Sequence, residues 1–406
     1  MQTCPNSDQD TNKRLKVLFL ASWYPNKEHP VSGIFIRRHA HAISKYCDIA
    51  VLYINIGKSD DGLEISRNNG IIEIRVYRRM RESHNPYVKK VYNYLLVYID
   101  YLIGGYKGYK VVEREFGRPH LAHVNVAIYA GLIGLALKFF HKIPYVLTEH
   151  WAGYLQRDGG FYKHSIIGRH FILAVARNSQ AIITVSSALK DAMISCGAKG
   201  RFYVIPNVVD LECGARDLSS ENQEKKIITH ISLMKDDVKN ISGIVEAVAV
   251  LSQSRSDFEF HILGYGPDEN KIMTKSKDFG LLDKTIFFHG MVNAQELARF
   301  LSKSAFTVIN SNFETFCVAA AESLYCGIPV IATKCGGPEE FVDEQSGILI
   351  KCEDKAALIS ALNYMLDHHS EFDSRQISKK ARSLFGSEIV GKKIYDLYKE
   401  VLGWNG

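Results

Sequence analysis

A chain of 406 residues is too long for one ordinary hydrophobic core, so the sequence predicts two domains. Its 46% hydrophobic and 23% charged residues are typical of a globular protein, and a formal charge of +6 permits an anionic partner without indicating nucleic acid. No apolar run reaches the roughly 18 residues that a spanning helix needs. Residues 1–14 are polar and lack an apolar signal core, so we expect a flexible tail there in a cytoplasmic protein.

Short runs rich in β-branched residues alternate with helical stretches along the chain. In the first half they predict strands at 16–24, 48–56, 121–127, 144–150 and 181–187. A polar, charged segment follows, and the pattern then begins again with strands at 227–233, 258–264, 285–290, 305–311 and 329–335. Strands that alternate with helices indicate an α/β fold with two Rossmann-like, doubly wound domains. We place the first domain at 15–209, the linker at 210–226 and the second domain at 227–386.

Two acids, Glu314 and Glu322, stand at the ends of a seven-residue segment in which six residues are apolar. Glu314 follows a predicted strand directly, at the edge where this fold binds ligands. A helix predicted from near Thr315 would offer first-turn N–H groups and its dipole to a diphosphate. Paired ribose hydroxyls would suit Glu322, since a buried carboxylate needs partners. The alternative is that both acids only cap and solvate an ordinary helix and bind no ligand.

This segment resembles the retaining glycosyltransferases of family 4, which have the GT-B fold of two domains facing across a cleft. Their E-x7-E motif and the following G-x-P-V-[IV]-A-x-x-x-G-G stand here as Glu314 to Glu322 and "GIPVIATKCGG" at 327–337. Further similar segments lie at 22–43, 143–151, 184–210, 261–267 and 288–304. The resemblance covers about residues 15–400, and it implies that a final helix within 387–406 packs back on the first domain.

The resemblance implies a donor site in the second domain. Glu322 would bind the ribose, Glu314 would contact the donor sugar, and Thr315 and Phe316 would give backbone N–H groups to the diphosphate. Gly264 belongs to a "G-x-G-P" turn that would also border the donor, although a glycine there can equally be an ordinary turn residue.

The first domain would contribute two more residues. His150, at the end of a predicted strand, would lie near the reacting sugar, and Gly33 would let the backbone approach the diphosphate. The alternatives are a capped histidine at a strand end and a glycine that only makes a turn. Together with Glu314 and Lys239, His150 is our candidate for a catalytic residue.

One departure from the family pattern concerns the cations that clamp the donor diphosphate. Ser232 stands where the family has an arginine, which removes a bidentate phosphate contact. The family's lysine corresponds best to Lys239, and Lys235 is the alternative. A surface position for Lys239 also remains open at this point.

We predict no metal and no cofactor. The D-x-D-like segment at 8–10 lies in the polar tail and does not follow a strand, so we do not expect it to bind a metal ion. The donor substrate would be a nucleotide diphosphate sugar, UDP- or GDP-linked. The eight cysteines include no C-x-x-C pair, and we expect reduced thiols.

A basic, tyrosine-rich stretch covers 77–110, with seven Lys or Arg, two acids and eight Tyr. Apolar residues at helical spacing predict a helix near 88–102. It would either dock on the first domain or bind an anionic membrane surface, which would make the protein peripheral on the inner face. No recognition motif for nucleic acid accompanies the charge.

The sequence therefore predicts a glycosyltransferase of the hexosyltransferase type, retaining and metal-independent. It would transfer a sugar to a hydroxyl of a glycan or lipid-linked acceptor in cell-surface polysaccharide or glycolipid synthesis. The alternatives are a nucleotide-sugar epimerase of the same fold and a non-catalytic binder of sugar nucleotides.

Overall fold

A computed structural model describes residues 14–81, 89–213 and 225–404; the side chains of 89–95 lie outside the description. The first 13 residues of the predicted tail, the D-x-D-like segment and most of the predicted linker are therefore outside the described residues. Within the described ranges, no helix combines the length and hydropathy that crossing a membrane would require.

The first lobe is built on an eight-stranded sheet with the order β3-β4-β2-β1-β5-β6-β7-β8. Its strands are β1 (Lys16–Ala21), β2 (Asp48–Gly57), β3 (Gly62–Asn68), β4 (Ile71–Arg79), β5 (Leu121–Asn125), β6 (Tyr145–Glu149), β7 (Ile182–Thr184) and β8 (Phe202–Val204). The helices of this stretch are α1 (Ile34–Ser44), α2 (Lys89–Glu115), α3 (Ala130–His141), α4 (Gly160–Lys163), α5 (Ile166–Asn178) and α6 (Ser187–Ser195). Only the β3–β4 pair is antiparallel among the pairs of this sheet.

The second lobe is built on a six-stranded parallel sheet with the order β11-β10-β9-β12-β13-β14. Its strands are β9 (Lys226–Ile231), β10 (Phe258–Leu263), β11 (Ile286–Phe288), β12 (Phe306–Ile309), β13 (Val330–Thr333) and β14 (Gly347–Ile350). The helices that follow in the chain are α7 (Asp236–Lys239), α8 (Ile241–Leu251), α9 (Glu269–Asp278), α10 (Ala294–Lys303), α11 (Val318–Tyr325), α12 (Lys355–His368), α13 (Ser374–Phe385) and α14 (Ser387–Leu402). All but α14 belong to this lobe.

The ten predicted strands are confirmed, most with slightly shorter bounds, and so is the α/β fold of two Rossmann-like, doubly wound units. The central strands are buried on both faces because helices cover each side of the sheet. Four strands were not predicted: the exposed β3, the charged β4, the three-residue β8 and the short β14.

The helix α14 returns to the first lobe and packs against α1. Gly391 allows this approach, since a Cβ there would lie 2.5 Å from the carbonyl oxygen of Ala42. The hydroxyl of Tyr398, on the same helix, hydrogen-bonds the ring of His123 in β5, and both side chains are fully buried. The last helix is therefore part of the first lobe's core.

Two further contacts hold the first lobe, or the linker segment that follows it, to the second lobe. The carboxylate of Glu340 accepts the backbone N–H groups of Ser187 and Ala188, at 2.5 and 3.1 Å, where α6 begins. An acid at a helix N-terminus is favourable because of the free N–H groups and the helix dipole. A disulfide joins Cys213 to Cys326, whose Cα atoms are 5.3 Å apart, so the expectation of reduced thiols is wrong for this pair.

Candidate active site

The carboxyl ends of the two sheets face each other across a cleft, and a cavity of about 460 Å³ lies there. We call it the cleft cavity. In doubly wound folds this edge is where ligands bind. The polar and charged side chains that line it come from both lobes: Arg38, His150 and Asn207 from the first, and His230, Ser232, Lys239, Ser311, Glu314, Thr315 and Glu322 from the second.

Glu314 and Lys239 form an ion pair in the cleft cavity. The Lys239 ammonium donates to Glu314 Oε1 at 2.5 Å, and the Ser311 hydroxyl donates to the same oxygen at 2.7 Å. Burial by itself would lower the pKa of Lys239, but the adjacent Glu314 carboxylate outweighs it and holds the pKa above the ordinary value. Lys239 is therefore a fixed positive charge at neutral pH.

The structure brings Lys239, and not Lys235, to the cleft cavity. Lys235 is exposed, and its ammonium lies 3.5 Å from the carboxylate of Asp237. Lys239 is the last residue of the short helix α7, and the left-handed Asn240 that follows ends this helix. The position of Lys239 fits the role that the resemblance implies, although the role itself stays a prediction.

Ser232 lines the cavity without a charge. Its hydroxyl is 2.8 Å from Nε2 of His230, and Nδ1 of His230 is 2.8 Å from the carbonyl oxygen of Val308. Because a carbonyl only accepts, Nδ1 carries the proton, and Ser232 donates to Nε2. Burial lowers the pKa of His230 to about 4, so the ring is neutral and does not replace the missing arginine.

Glu322 forms a second ion pair, which joins the lobes. Glu322 is 6% exposed, and its carboxylate accepts from Nη1 of Arg38 at 2.7 Å. Arg38 lies on α1, and sequence reasoning missed it. The available signal was helical spacing: Ile34, Phe35 and Arg38 share one face of α1, and all three line the cavity. The cavity thus holds two carboxylates, each bound to a cation.

The helix α11 begins at Val318, three residues later than predicted, because Cys317 has a left-handed backbone with φ of 72°. Thr315 and Phe316 therefore precede the helix and line the cavity through a loop. The Phe316 ring is buried against Phe341 and Phe385, at 5.4 Å from each ring, so its backbone faces the site. The first N–H groups of α11 lack intrahelical acceptors, as in any helix, and are available to an anion.

Glycines hold the backbone segments of this site close together. A Cβ at Gly264 would lie 1.9 Å from the carbonyl oxygen of Ser232, and its φ is 130°. A Cβ at Gly33 would lie 2.3 Å from the carbonyl oxygen of Trp23, and its φ is 65°. Gly264 lines the cavity, whereas the neighbours of Gly33 line it and Gly33 itself does not. Both positions need glycine for close backbone packing.

His150 is buried at the cavity wall, and neither of its ring nitrogens has a hydrogen-bond partner among the described residues. Its ring packs at 4.6 Å from Phe35 and 5.7 Å from His39. Burial, with His39 nearby, lowers the pKa of His150 well below its ordinary value, so the ring is neutral. The carboxylate of Glu149 accepts the backbone N–H groups of His150 and Trp151 at 2.9 Å and so fixes this turn. A buried polar ring without a partner is suited to binding a ligand hydroxyl.

Two family profiles match the chain in succession. Residues 73–213 match the profile described as Glycosyltransferase Family 4, and residues 215–384 match Glycosyl transferases group 1. An uncharacterized glycosyltransferase of Methanocaldococcus jannaschii is 31% identical over 271 residues, which are 66% of this chain and 69% of that protein. The lipopolysaccharide 1,6-galactosyltransferase of Escherichia coli is 24% identical over 244 residues, 57% of this chain and 66% of that protein.

Solved structures share the fold over almost the whole chain. The Anabaena protein HepE, in complex with UDP, has a TM-score of 0.68 at 16% identity, covering 95% of this chain and 100% of that one. Two facing Rossmann-like lobes with a cleft between their sheets define the GT-B fold, and the family profiles identify the chain as a glycosyltransferase. The chain belongs to glycosyltransferase family 4.

Proposed function

We propose that this glycosyltransferase transfers a sugar from a UDP- or GDP-linked donor to a hydroxyl of a glycan or lipid-linked acceptor. It would act in cell-surface polysaccharide or glycolipid synthesis. The observation that carries this proposal is the pair of acids in the cleft cavity, each held by a cation: Glu314 by Lys239 and Glu322 by Arg38. HepE, of the same fold, binds UDP, and the E. coli relative is named for galactosyl transfer to lipopolysaccharide.

The donor would bind along the second lobe. Its ribose hydroxyls would donate to Glu322, of which Arg38 binds only Oε1, so that Oε2 would be their acceptor. The Arg38 guanidinium would also bring a positive charge to the cavity, where Ser232 supplies none. The loop at Thr315 and Phe316 and the start of α11 would give N–H groups to the phosphates.

Transfer would proceed with retention and without a metal ion. The bond between the anomeric carbon and the phosphate oxygen breaks while the acceptor oxygen bonds to that carbon on the same face, and the acceptor proton passes to the departing phosphate. Lys239 would stabilise the charge that grows on the leaving diphosphate. Glu314, close to Lys239, would hold a donor-sugar hydroxyl, and neutral His150 would accept from or donate to another.

The proposal is tested by incubating the protein with UDP- and GDP-sugars, with and without glycan and lipid-linked acceptors. Transfer to an acceptor, with the anomeric configuration read by NMR, supports it. Isomerisation of the donor alone would favour the epimerase. Tight binding of a donor without turnover across the acceptor panel would favour a non-catalytic binder.

We also propose peripheral binding to an anionic membrane. Large apolar side chains are exposed on three neighbouring helices of one layer: Tyr106 of α2 (67%), Phe140 of α3 (84%) and Ile167 of α5 (83%). The basic stretch at 77–110 offers Arg78, Arg79 and Arg81 as lipid-binding cations. Arg78 and Arg81 are bound to the buried carboxylate of Asp100, each at 2.9 Å, whereas the exposed Arg79 is 3.2 Å from the exposed Asp60. The apolar side chains therefore carry more of this proposal than the arginines do.

Co-sedimentation with vesicles tests the membrane proposal. The protein should bind vesicles that contain anionic lipid at low salt, bind neutral vesicles poorly and be released by salt. Tyr106→Ser combined with Ile167→Ser should weaken binding and leave nucleotide affinity unchanged. Equal sedimentation of the wild type with and without anionic vesicles would contradict the proposal. The cytoplasmic location expected from the sequence stays a prediction.

A further inference from the structure

A second cavity, of about 410 Å³, lies beside the active site at the carboxyl ends of β12, β13 and β14. We call it the side cavity. Asn312 and Phe313 form part of its wall, and Glu314 of the cleft cavity is the next residue along the chain. A molecule that occupied the side cavity would therefore lie next to the site where we propose that the sugar is transferred.

Two lysines end neighbouring strands at the side cavity. Thr333 pairs with Ile350 in the β13–β14 register, and the N–H of Lys334 donates to the carbonyl of Ile350 at 2.7 Å. Lys334 and Lys351 therefore follow side by side, where like charges repel. Both are exposed, and neither forms an ion pair with a carboxylate in the described part of the chain. Such a pair of charges is stabilised when an anion binds between them.

A third cation reaches the side cavity from the first lobe. Nη1 of Arg157 is 3.4 Å from the carbonyl oxygen of Asn312 and 3.4 Å from the carboxylate of Glu353. The Arg157 and Glu353 side chains are largely exposed, so their pair holds Arg157 weakly. No carboxylate is among the described residues that line the cavity. Arg157 of the first lobe and Lys334 and Lys351 of the second lobe are thus the charged residues among the described lining of the side cavity.

We propose that the side cavity binds a phosphate group of the acceptor, held by Arg157, Lys334 and Lys351. This inference rests on the proposed function, because the acceptor hydroxyl must lie near Glu314. A phosphate fits three cations better than a carboxylate does, since it carries a charge of about −1.5 to −2 and offers three acceptor oxygens. Arg157 can bind it through two parallel N–H donors and the lysines as point charges. The phosphate could belong to a lipid-linked acceptor or to a soluble sugar phosphate.

Titration calorimetry of the full chain tests this site while the cleft cavity is saturated with UDP or GDP, whichever binds. The soluble probe is glucose 6-phosphate, with glucose as its uncharged match, and the lipid probe is monomeric short-chain phosphatidic acid, which offers no membrane surface to the exposed side chains of α2, α3 and α5. We expect the wild type to bind one or both phosphate probes and not glucose. Lys334→Ala with Lys351→Ala should weaken that binding at least tenfold, and Lys284→Ala should not. Lys284 is an exposed lysine before β11, at the opposite edge of the second sheet.

The outcomes separate the sources of the phosphate and the two proposals. Lysine-dependent binding of glucose 6-phosphate indicates a soluble acceptor, and lysine-dependent binding of the short-chain phosphatidic acid alone indicates a lipid-linked one. Binding that the double variant leaves unchanged, or no binding of either probe while the nucleotide still binds, overturns the inference. Failure of UDP and GDP to bind in the first titration would instead count against the proposed function.

Discussion

Glu322→Ala offers a direct test of how the donor is recognised. The Glu322 carboxylate lies 2.7 Å from the Arg38 guanidinium, and the two side chains are mostly buried, at 7% and 18% exposure. A hydrogen bond from a ribose hydroxyl to a charged group contributes about 1.5–3 kcal/mol to the binding free energy. The variant should therefore bind the nucleoside diphosphate about 10- to 150-fold more weakly, since about 1.4 kcal/mol corresponds to a factor of ten.

Loss of affinity alone would not show which group of the nucleotide is bound, because the variant also leaves Arg38 without its carboxylate. The assay is therefore calorimetry with two ligands, the nucleoside diphosphate and its 2′,3′-dideoxy analogue. The wild type should prefer the ribonucleotide by the same 10- to 150-fold. In Glu322→Ala this preference should fall to about one, because the carboxylate that reads the hydroxyls is gone.

A matched control uses Glu344→Ala, which removes an exposed acid of the same lobe. It should keep the full preference for the ribonucleotide. The double variant with Arg38→Ala separates the effect of the stranded guanidinium, and it should also show no preference. If Glu322→Ala still discriminates the two nucleotides as the wild type does, the ribose is bound elsewhere and the assignment fails.

The remaining predictions concern the leaving group, metals and pH. Lys239→Ala should lower turnover by about 100-fold or more and weaken donor binding less, because the negative charge on the leaving diphosphate grows in the transition state. Lys235→Ala should change turnover little. Steady-state kinetics in which the two variants lower turnover equally would contradict this prediction. Activity should survive treatment with a chelator, and a strict dependence on added Mg²⁺ or Mn²⁺ would disprove metal independence. Burial lowers the pKa of His39 and His230 to about 4. The unfolded chain therefore takes up protons below its pKa of about 6.5 while the folded protein does not, and the melting temperature should fall from pH 6.5 towards 4, with no such effect above pH 6.5.

The strands that could be predicted from the sequence are those whose residues are nearly all apolar, because such strands are buried on both faces of a sheet. The apolar strands β1 and β12 are examples, since their residues are hydrophobic on both faces. It missed β4 because Glu73 and Arg75 interrupt the apolar pattern. Glu73 is nevertheless fully buried, and the Tyr24 hydroxyl and the Arg37 and Arg75 guanidiniums bind its carboxylate. Arg75 is two residues away from Glu73, but Tyr24 and Arg37 are distant in sequence and leave no local signal.

The site follows the same division. Glu314 and Glu322 could be found because they belong to one short motif. Arg38 could not be paired with Glu322 from the sequence, because 284 residues separate them. The late start of α11 depends on the left-handed backbone conformation of Cys317, which residues other than glycine rarely adopt. The disulfide between Cys213 and Cys326 likewise depends on how the lobes meet.

The return of α14 to the first lobe has a consequence for synthesis of the protein on the ribosome. Ala42 and Ile43 of α1 are buried beneath a helix that contains Ile394 and Tyr398, and these emerge last among the described elements. Domains commonly fold in the order of their synthesis, but here the first lobe must wait with an apolar surface uncovered while the second lobe is made. The nascent chain therefore exposes the apolar surface of α1 for most of its elongation, and this surface is buried only when α14 leaves the ribosome and packs on it.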